Sequence, residues 1–183
     1  MILQSTSVET PVGTVVLFVR DGALCGLTFD DRALALTRFL ERRFGEFTAV
    51  ATRDPGGLAG RLRAYFSGEI GALDSIPVDP GGTPFQIKIW SALRQVPPGR
   101  TVSYSQLARA AGCPAAVRPV AAANARNPVA IVIPCHRVIA SDGTLGGYGG
   151  GLERKRWLIE HEKGGAGAGL PRQAALPFAA GRV

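Results

Sequence analysis

The run Asp79-Pro80-Gly81-Gly82 divides the 183-residue chain into two halves that carry different patterns. Proline lacks the backbone donor that regular elements need and glycine favours turns, so no helix or strand is expected to cross this run. Strand patterns precede it and helical patterns follow it. We therefore predict an α+β (α/β) fold, with a small N-terminal α/β module at 1–79 that contains a β-sheet, a linker at 80–83 and a mainly helical domain at 84–163.

The first half opens with a β-hairpin pattern. Two apolar runs, Thr14–Val19 and Ala23–Phe29, flank Asp21-Gly22, and Asp-Gly is a preferred hairpin turn because both turn positions need positive φ. Cys25 falls in the second run and is interpreted as core packing. Three further elements are expected, a helix, a strand and a second helix, at 31–44, 47–52 and 58–66. No part of this half is predicted to form a functional site.

The second half begins with three predicted helices. Thr83-Pro84 is typical of an N-cap and a first helical position, and apolar residues then recur at helical spacing until Pro97-Pro98-Gly99. Two shorter helices, at 104–111 and from about Val117, flank a turn that contains Gly112. This order predicts a winged-helix-like helix-turn-helix, an arrangement in which the second helix binds a DNA groove.

Pro119 indicates where the second helix of this pair begins. Inside a helix, proline would cost about 3 kcal/mol through a lost hydrogen bond and a clash, whereas the first turn tolerates it. A start at about Val117 places Arg118 at the exposed helix tip. Three small side chains follow, and they would either let a partner backbone approach closely or simply permit tight helix packing: Ala121, Ala122 and Ala123.

The segment Asn127–Arg137 is the part of the sequence that indicates chemistry. An apolar run ends at Pro134, which favours an extended or turning backbone and holds Cys135 at the end of a buried element. A thiol reacts as its thiolate, and basic neighbours lower its pKa, so His136 and Arg137 suit a nucleophile. Taken alone, a cysteine is more often a small core residue.

The end of the chain carries a glycine loop, a helix and a tail without pattern. Tyr148 is the one aromatic residue of the loop Leu145–Gly151, where the glycines would let the backbone pass beside a flat ligand or form a flexible wing. No Lys-Ser or Lys-Thr follows, so this is not a phosphate-binding loop. A last helix is predicted at 153–163, and residues 164–183 are expected to be a disordered tail.

Composition and charge restrict the cellular compartment and the class of partner that are expected for this chain. No apolar stretch reaches the roughly 18 residues of a membrane span, and the N-terminus lacks a signal-peptide pattern. Three cysteines without metal-ligand spacing favour free thiols, no metal and a reducing, cytoplasmic compartment. Residues 1–83 carry 8 Lys or Arg against 10 Asp or Glu, whereas 84–163 carry 11 against 4. The basic half suits a polyanionic partner, although a solvated arginine-rich surface gives the same count.

Together these motifs resemble the O6-alkylguanine-DNA alkyltransferases, also called methylated-DNA–protein-cysteine methyltransferases. The resemblance covers nearly everything except the tail, and it rests on Pro134-Cys135-His136-Arg137, Asn127-Pro128, Ser103-Tyr104, Tyr148 and Glu162, and more weakly on Thr10-Pro11-Val12-Gly13. It implies a DNA repair protein that transfers an alkyl group from guanine O6 to its own cysteine, once per molecule.

The resemblance also implies roles for the residues of the reaction. Cys135 is the nucleophile, His136 is the base that acts through a water molecule, and Glu162 orients His136. Asn127 anchors the turn that carries the cysteine, and Tyr104 donates a hydrogen bond to the departing guanine. No cofactor and no metal are implied.

A base stacked in a duplex cannot reach a buried thiol, so the resemblance implies that the nucleotide is flipped out. Arg118 would fill the vacated stack while its helix lies in the minor groove. The other residues expected to contact DNA or substrate are Ala121, Ala122, Ala123, Arg137, Val138, Tyr148 and Gly149. The expected partner is double-stranded DNA containing O6-alkylguanine, bound by a nucleoid-associated monomer, with cooperativity on DNA and the accepted alkyl sizes left open.

Three alternatives remain open from the sequence. A non-catalytic recogniser of alkylated guanine would bind the same DNA, but the presence of Cys135 argues against it. In a Cys-His hydrolase the nucleophile and base usually lie far apart in sequence, which the adjacent Cys135 and His136 do not match. A transcription regulator would use the helix-turn-helix alone.

Overall fold

The structure is a computed structural model that describes residues 1–164. Four strands of the first half form one mixed sheet, and they are β1 (Ile2–Val8), β2 (Val15–Arg20), β3 (Ala23–Phe29) and β4 (Thr48–Ala51). The strand order is β3-β2-β1-β4; β1 is antiparallel to β2 and parallel to β4, and β2 is antiparallel to β3. The predicted hairpin is confirmed, with positive φ at Asp21 (49°) and Gly22 (77°).

Strand β1 is an element that the sequence did not predict. Its central residues are polar, and only Leu3 and Val8 are buried. It forms because β2 and β4 both pair with it, which satisfies its backbone groups on two sides. Helix α1 (Ala33–Phe44) and helix α2 (Leu58–Phe66) match the predicted helices of this half.

Between residues 84 and 164 the chain forms four α-helices, α3 (Pro84–Arg94), α4 (Tyr104–Ala110), α5 (Val117–Ala125) and α6 (Leu152–Glu162). Thr83 and Ser103 each form a capping box with the glutamine three residues later, which explains why α3 and α4 begin where they do. Helices α4 and α5 form the predicted helix-turn-helix, and α5 begins at Val117 with Pro119 in its first turn. A short parallel pair, β5 (Val102–Ser103) and β6 (Val138–Ile139), lies beside them.

One cluster of buried side chains runs through both halves, and it includes Leu27, Tyr65, Trp90, Val129 and Leu158. The boundary at 80–83 therefore stays a prediction. The predicted tail, apart from Gly164, lies outside the described residues. Within residues 1–164, no helix has the length and apolar character to span a bilayer.

Strand β3 connects the sheet to the segment that carries Cys135. The Leu27 amide donates to the Pro128 carbonyl, and the Ala130 amide donates to the Leu27 carbonyl, both at 2.9 Å. These two bonds pair β3 with the backbone just before the apolar run. The first half of the chain thereby fixes the position of a loop in the second half.

Candidate active site

Cys135 lies in a tight turn at the end of a buried loop. The apolar run that precedes it is not a strand, because it folds through successive turns with Ile131 at a φ of 70°. Positive φ is rare for a β-branched residue and indicates a conformation held by its surroundings. The chain then passes Pro134 and enters the single 3₁₀ turn Cys135–Arg137. Packing contacts on all sides, and not a regular helix or strand, therefore hold the Cys135 sulfur in place.

Asn127 anchors this loop, as the resemblance implied. Its Nδ2 donates to the Ile133 carbonyl at 2.8 Å and to Cys135 Sγ at 3.2 Å, while its Oδ1 accepts from the Val129 amide at 3.0 Å. One amide side chain therefore ties together the two ends of the apolar run. It also places a hydrogen-bond donor on the sulfur, which favours the thiolate.

The pKa of the Cys135 thiol is set by opposing effects. Burial raises it, while the hydrogen bond from Asn127 and the positive charge of Lys155 lower it. The sequence had assigned the lowering effect to His136 and Arg137, and for Arg137 this was wrong, because its guanidinium is occupied elsewhere. The cation that acts on the sulfur comes from helix α6.

Lys155 is a fully buried lysine that the sequence did not single out. Its Nζ donates to the carbonyls of Val138 (2.6 Å), Leu145 and Gly147 (3.2 Å), so it joins β6 to the glycine loop. Burial lowers its pKa to about 8, while the nearby Cys135 has the opposite effect. A lysine on a helix is normally a surface residue, which is why the pattern gave no signal.

Glu162 is the centre of a buried polar cluster. Its carboxylate accepts from His136 Nε2 at 2.9 Å, from Arg137 Nε at 2.9 Å and Nη2 at 2.8 Å, from the Tyr65 hydroxyl at 2.9 Å and from the Gly99 amide at 3.1 Å. Burial would raise the pKa of this carboxyl, but His136 and Arg137 outweigh it and hold the pKa well below its usual range. Glu162 is therefore ionised and fully hydrogen-bonded.

His136 is held as a neutral ring with one free nitrogen. Burial lowers its pKa, and the charge of Glu162 only partly opposes this. Since the carboxylate accepts from Nε2, that nitrogen carries the hydrogen, and Nδ1 is left as an acceptor. Nδ1 is buried and has no hydrogen-bond partner among residues 1–164. The predicted pairing of His136 with Glu162 is thus present.

Three of the residues expected to contact DNA have buried side chains, and the prediction is corrected for them. Ala123 is 2% exposed and its carbonyl accepts from Trp90 Nε1 at 2.9 Å. Arg137 is 8% exposed and binds Glu162 and the Val96 carbonyl. Val138 is fully buried in β6. Neighbouring residues enclose all three side chains. They therefore support the site from inside the protein.

A cavity of about 610 Å³ opens onto Cys135. Its lining includes Tyr104, Tyr148 and Gly149, which stay predicted substrate contacts, and it also includes Asn124. The first half of the chain, which was predicted to carry no site, contributes a wall as well: Thr28, Phe29, Arg32, Ala35, Leu36, Phe39 and Arg42. That prediction is wrong, since the pairing of β3 with the active-site loop brings α1 to the cavity.

The hydroxyl groups of the two cavity tyrosines, Tyr104 and Tyr148, differ in their hydrogen bonding. Burial and the charge of Cys135 raise the pKa of Tyr104, and a hydrogen bond from Asn124 partly offsets this. The Asn124 Oδ1 has no hydrogen-bond partner among the described residues, so Asn124 acts on the Tyr104 hydroxyl through its Nδ2 group. The Tyr148 hydroxyl is buried and also lacks a partner there, and burial raises its pKa well above 10.

The predicted helix tip is on the surface. Arg118 and Ala122 are exposed and Ala121 is half-buried, all in the first turns of α5. Arg118 has no ion pair within residues 1–164. The geometry therefore leaves this cation free to bind a partner.

The glycine loop is fastened to the first half by Arg154 of α6. This side chain donates to the Val12 carbonyl at 2.9 Å and to the Gly150 carbonyl at 3.2 Å, and it pairs with Asp31 at 2.8 Å. Its guanidinium also lies over the Phe29 ring, 4.2 Å from the centroid. The wall that contains Tyr148 is thus held from the sheet side.

Comparison with known proteins identifies the relatives of this chain. Residues 84–164 match a sequence profile described as 6-O-methylguanine DNA methyltransferase, DNA binding domain. The chain is 40% identical over 169 residues to the methylated-DNA–protein-cysteine methyltransferase of Shigella flexneri, across 87% of this chain and 95% of the relative. It belongs to this family.

Other members of the methylated-DNA–protein-cysteine methyltransferase family agree over most of the length. The protein of that name from Mycobacterium bovis is 41% identical over 167 residues, covering 90% of this chain and 94% of its own. A crystal structure of Mycobacterium tuberculosis OGT in complex with DNA is similar with a TM-score of 0.73 and 35% identity, over 92% of this chain and 96% of that one. The resemblance and the α+β fold predicted from the sequence are confirmed.

Proposed function

We propose that this protein repairs DNA by transferring an alkyl group from guanine O6 to Cys135, and that each molecule acts once. The observation that carries the proposal is a single arrangement: the Cys135 sulfur at the wall of an open cavity, hydrogen-bonded by Asn127. The neutral His136, oriented by Glu162, follows it directly. Membership of the methyltransferase family supports the same chemistry.

The reaction that this arrangement favours is a displacement at carbon. The Cys135 thiol gives its proton, through a water molecule, to the free Nδ1 of His136, and the sulfur forms a bond to the alkyl carbon as the bond from carbon to guanine O6 breaks. The electron pair of the broken bond passes into the guanine ring, where a ring nitrogen takes the hydroxyl proton of Tyr104, and the proton held by His136 returns to Tyr104 through solvent. Guanine thereby leaves as a neutral base.

The buried cluster around Glu162 positions the base of this reaction. A carboxylate that accepts five hydrogen bonds cannot rotate freely, so the His136 ring keeps one orientation and one tautomer. Arg137 and Tyr65 are positioning residues in this sense, because they act on Glu162 and not on the substrate.

The DNA partner would be bound in its minor groove by helix α5, with the alkylated nucleotide flipped into the cavity. The exposed Arg118 would fill the gap left in the stack, and Ala121 and Ala122 would present a smooth surface to the groove. We expect a monomer in the cytoplasm, associated with the nucleoid when it is bound to DNA.

Mass spectrometry after incubation with a duplex that contains O6-methylguanine tests this function. The protein should gain the mass of one methyl group, located on Cys135, and should gain nothing on a second exposure. Cys135→Ala should bind the duplex without any mass gain, whereas Cys25→Ser and Cys113→Ser should react like the unmodified chain. A gain on Cys25 or Cys113, or no gain at all, would refute the proposal.

A further inference from the structure

The cavity beside Cys135 extends away from the sulfur to the first half of the chain. Its lining includes Arg32, which immediately precedes α1, and Arg42, which lies in the last turn of α1. Arg126, which follows α5, belongs to the same lining. All three side chains are exposed. The cavity therefore leads from a reactive sulfur to a rim that carries three cations from two different parts of the fold.

These arginines have no partner of their own. Arg43, which follows Arg42, forms an ion pair with Asp79 at 2.5 Å. Arg32, Arg42 and Arg126, by contrast, make no ion pair and no side-chain hydrogen bond to any other residue in the range 1–164. A guanidinium group presents a planar fork that matches two phosphate oxygens, so free arginines at the edge of a nucleotide-sized cavity suit phosphate.

From this geometry we propose that Arg32 and Arg42 form a second DNA-binding surface, which binds backbone phosphates on either side of the flipped nucleotide. The inference rests on the proposed function. A nucleotide that places its base beside Cys135 must leave its sugar and phosphates at the mouth of the cavity, where Arg126 and the two arginines of the first half lie. The helix-turn-helix would then bind the duplex while this surface binds the extruded strand.

The spacing along α1 suits a nucleic acid strand. Ten residues separate Arg32 from Arg42, and at 1.5 Å of rise per residue they lie about 15 Å apart along the axis. Successive nucleotides of one strand are about 3.4 Å apart along a duplex. Because the phosphates of one strand also wind around the duplex axis, their direct separation is larger than this rise, and about 15 Å is enough to reach the phosphates on both sides of one extruded nucleotide.

Helix α1 is also fixed relative to the sulfur. Leu36 packs so closely on β3 that a Cβ added at Gly26 would lie 3.0 Å from its side chain. Strand β3 in turn pairs with the backbone of Pro128 and Ala130 in the active-site loop. Since each link is a packed or hydrogen-bonded contact, the backbone that carries Arg32 and Arg42 is held in place relative to Cys135. Residues 1–83 carry a net negative charge, so the charge count of the first half gave no indication of this local basic surface.

Salt-dependent binding to a duplex containing O6-methylguanine tests the inference. Each phosphate contact contributes about 0.9 to the slope of log K against log salt, so Arg32→Ala with Arg42→Ala should reduce the slope by about 2. At 0.1 M salt this corresponds to about 8-fold weaker binding for each contact. Arg53→Ala with Arg63→Ala removes the same charge from exposed positions that lie outside both α1 and the cavity lining and should leave the slope unchanged.

The outcomes separate this inference from the proposed function. Equal slopes for the two double variants would overturn the inference, provided that the unmodified protein still gains a methyl group on Cys135. If the unmodified protein gains none, the proposed function itself fails. Arg32→Lys with Arg42→Lys keeps the charge and should restore most of the slope, and melting temperatures show whether each variant is folded. A lysine variant that stays as weak as the alanine variant would also contradict phosphate binding.

Discussion

At the scale of single residues, the reactivity of Cys135 depends on a hydrogen bond more than on the cations beside it in sequence. The apolar surroundings raise the pKa of the thiol, and Asn127 is the neighbour that most opposes this. The side chain that follows two places later, Arg137, is committed to Glu162. The adjacent residues of this motif therefore belong to two separate hydrogen-bond networks, one around the Cys135 sulfur and one around the Glu162 carboxylate.

Asn127→Ala should raise the pKa of Cys135. A hydrogen bond to a charged group contributes about 1.5–3 kcal/mol, and the thiolate loses this stabilisation in the variant. The rate at which a small neutral alkylating reagent modifies Cys135, measured against pH with Cys25 and Cys113 replaced by serine, gives this pKa. Gln4→Ala, which removes an exposed amide on β1, serves as the control. An unchanged pKa in Asn127→Ala would show that the bond at 3.2 Å does not stabilise the thiolate.

At the scale of elements, the parts predicted from the sequence are those with local signals. Helices α3 and α5 begin where expected because a capping box and a proline act within a few residues. The hairpin follows from Asp21-Gly22 in the same way. Strand β1 was missed because its pairing partners, and not its own residues, make it a strand.

The functional residues that were missed share a different property. Tyr65 reaches Glu162 from 97 positions away, and Lys155 becomes a buried cation only when β6 and the glycine loop enclose it. The cavity wall from α1 likewise depends on a contact between β3 and Pro128. No short pattern encodes a contact between distant segments, so the reactive motif was recognisable and its supports were not.

Arg154→Ala should loosen the glycine loop without unfolding the protein. The side chain links α6, Val12 and Gly150, and its ion pair with the exposed Asp31 contributes at most about 1 kcal/mol. We expect hydrogen exchange of the amides at 148–151 to become about tenfold faster, which corresponds to about 1.4 kcal/mol. Transfer of methyl and benzyl groups should slow together with it, because Tyr148 no longer forms a fixed wall.

Arg156→Ala is the matched control for this element. Arg156 lies on the same helix and is exposed, and its ion pair is a 3.7 Å contact with Glu153. It should leave both exchange and transfer as they are. If the two arginine variants show the same exchange rates, the loop is held by its own glycine turns, and Arg154 has no positioning role.

At the scale of the whole molecule, the two halves complete one site. The first half supplies the Tyr65 hydroxyl to Glu162, the β3 backbone to the active-site loop and α1 to the cavity. The second half supplies the Cys135 sulfur, the His136 ring and the helix-turn-helix. A single cluster of buried side chains joins the two halves. We therefore expect protonation of the same buried groups to change both the stability of the fold and the reactivity of Cys135.

The free energy of unfolding should fall steeply on the acid side. The folded pKa of His136 is lowered from 6.5, so below about pH 6.5 the unfolded chain binds a proton that the folded chain excludes, and stability falls as pH drops. Glu162 acts in the same direction lower down, because its folded pKa lies below its ordinary 4.5 and the unfolded carboxylate is protonated first. Each such proton contributes up to about 1.4 kcal/mol per pH unit.

Urea denaturation at several pH values between 4 and 8 measures this dependence and assigns it. His136→Gln should flatten the curve between about pH 6.5 and 5, because it removes the unfolded imidazole that takes up a proton there. Glu162→Gln should flatten it below about pH 4.5 and should also cost about 3 kcal/mol at neutral pH, because it leaves Arg137 buried without its counter-ion. If His136→Gln keeps the slope of the unmodified chain, the ring is protonated in the folded state. Such a ring could not accept the proton of Cys135, and the acid–base pairing at the centre of the proposed reaction would have to be abandoned.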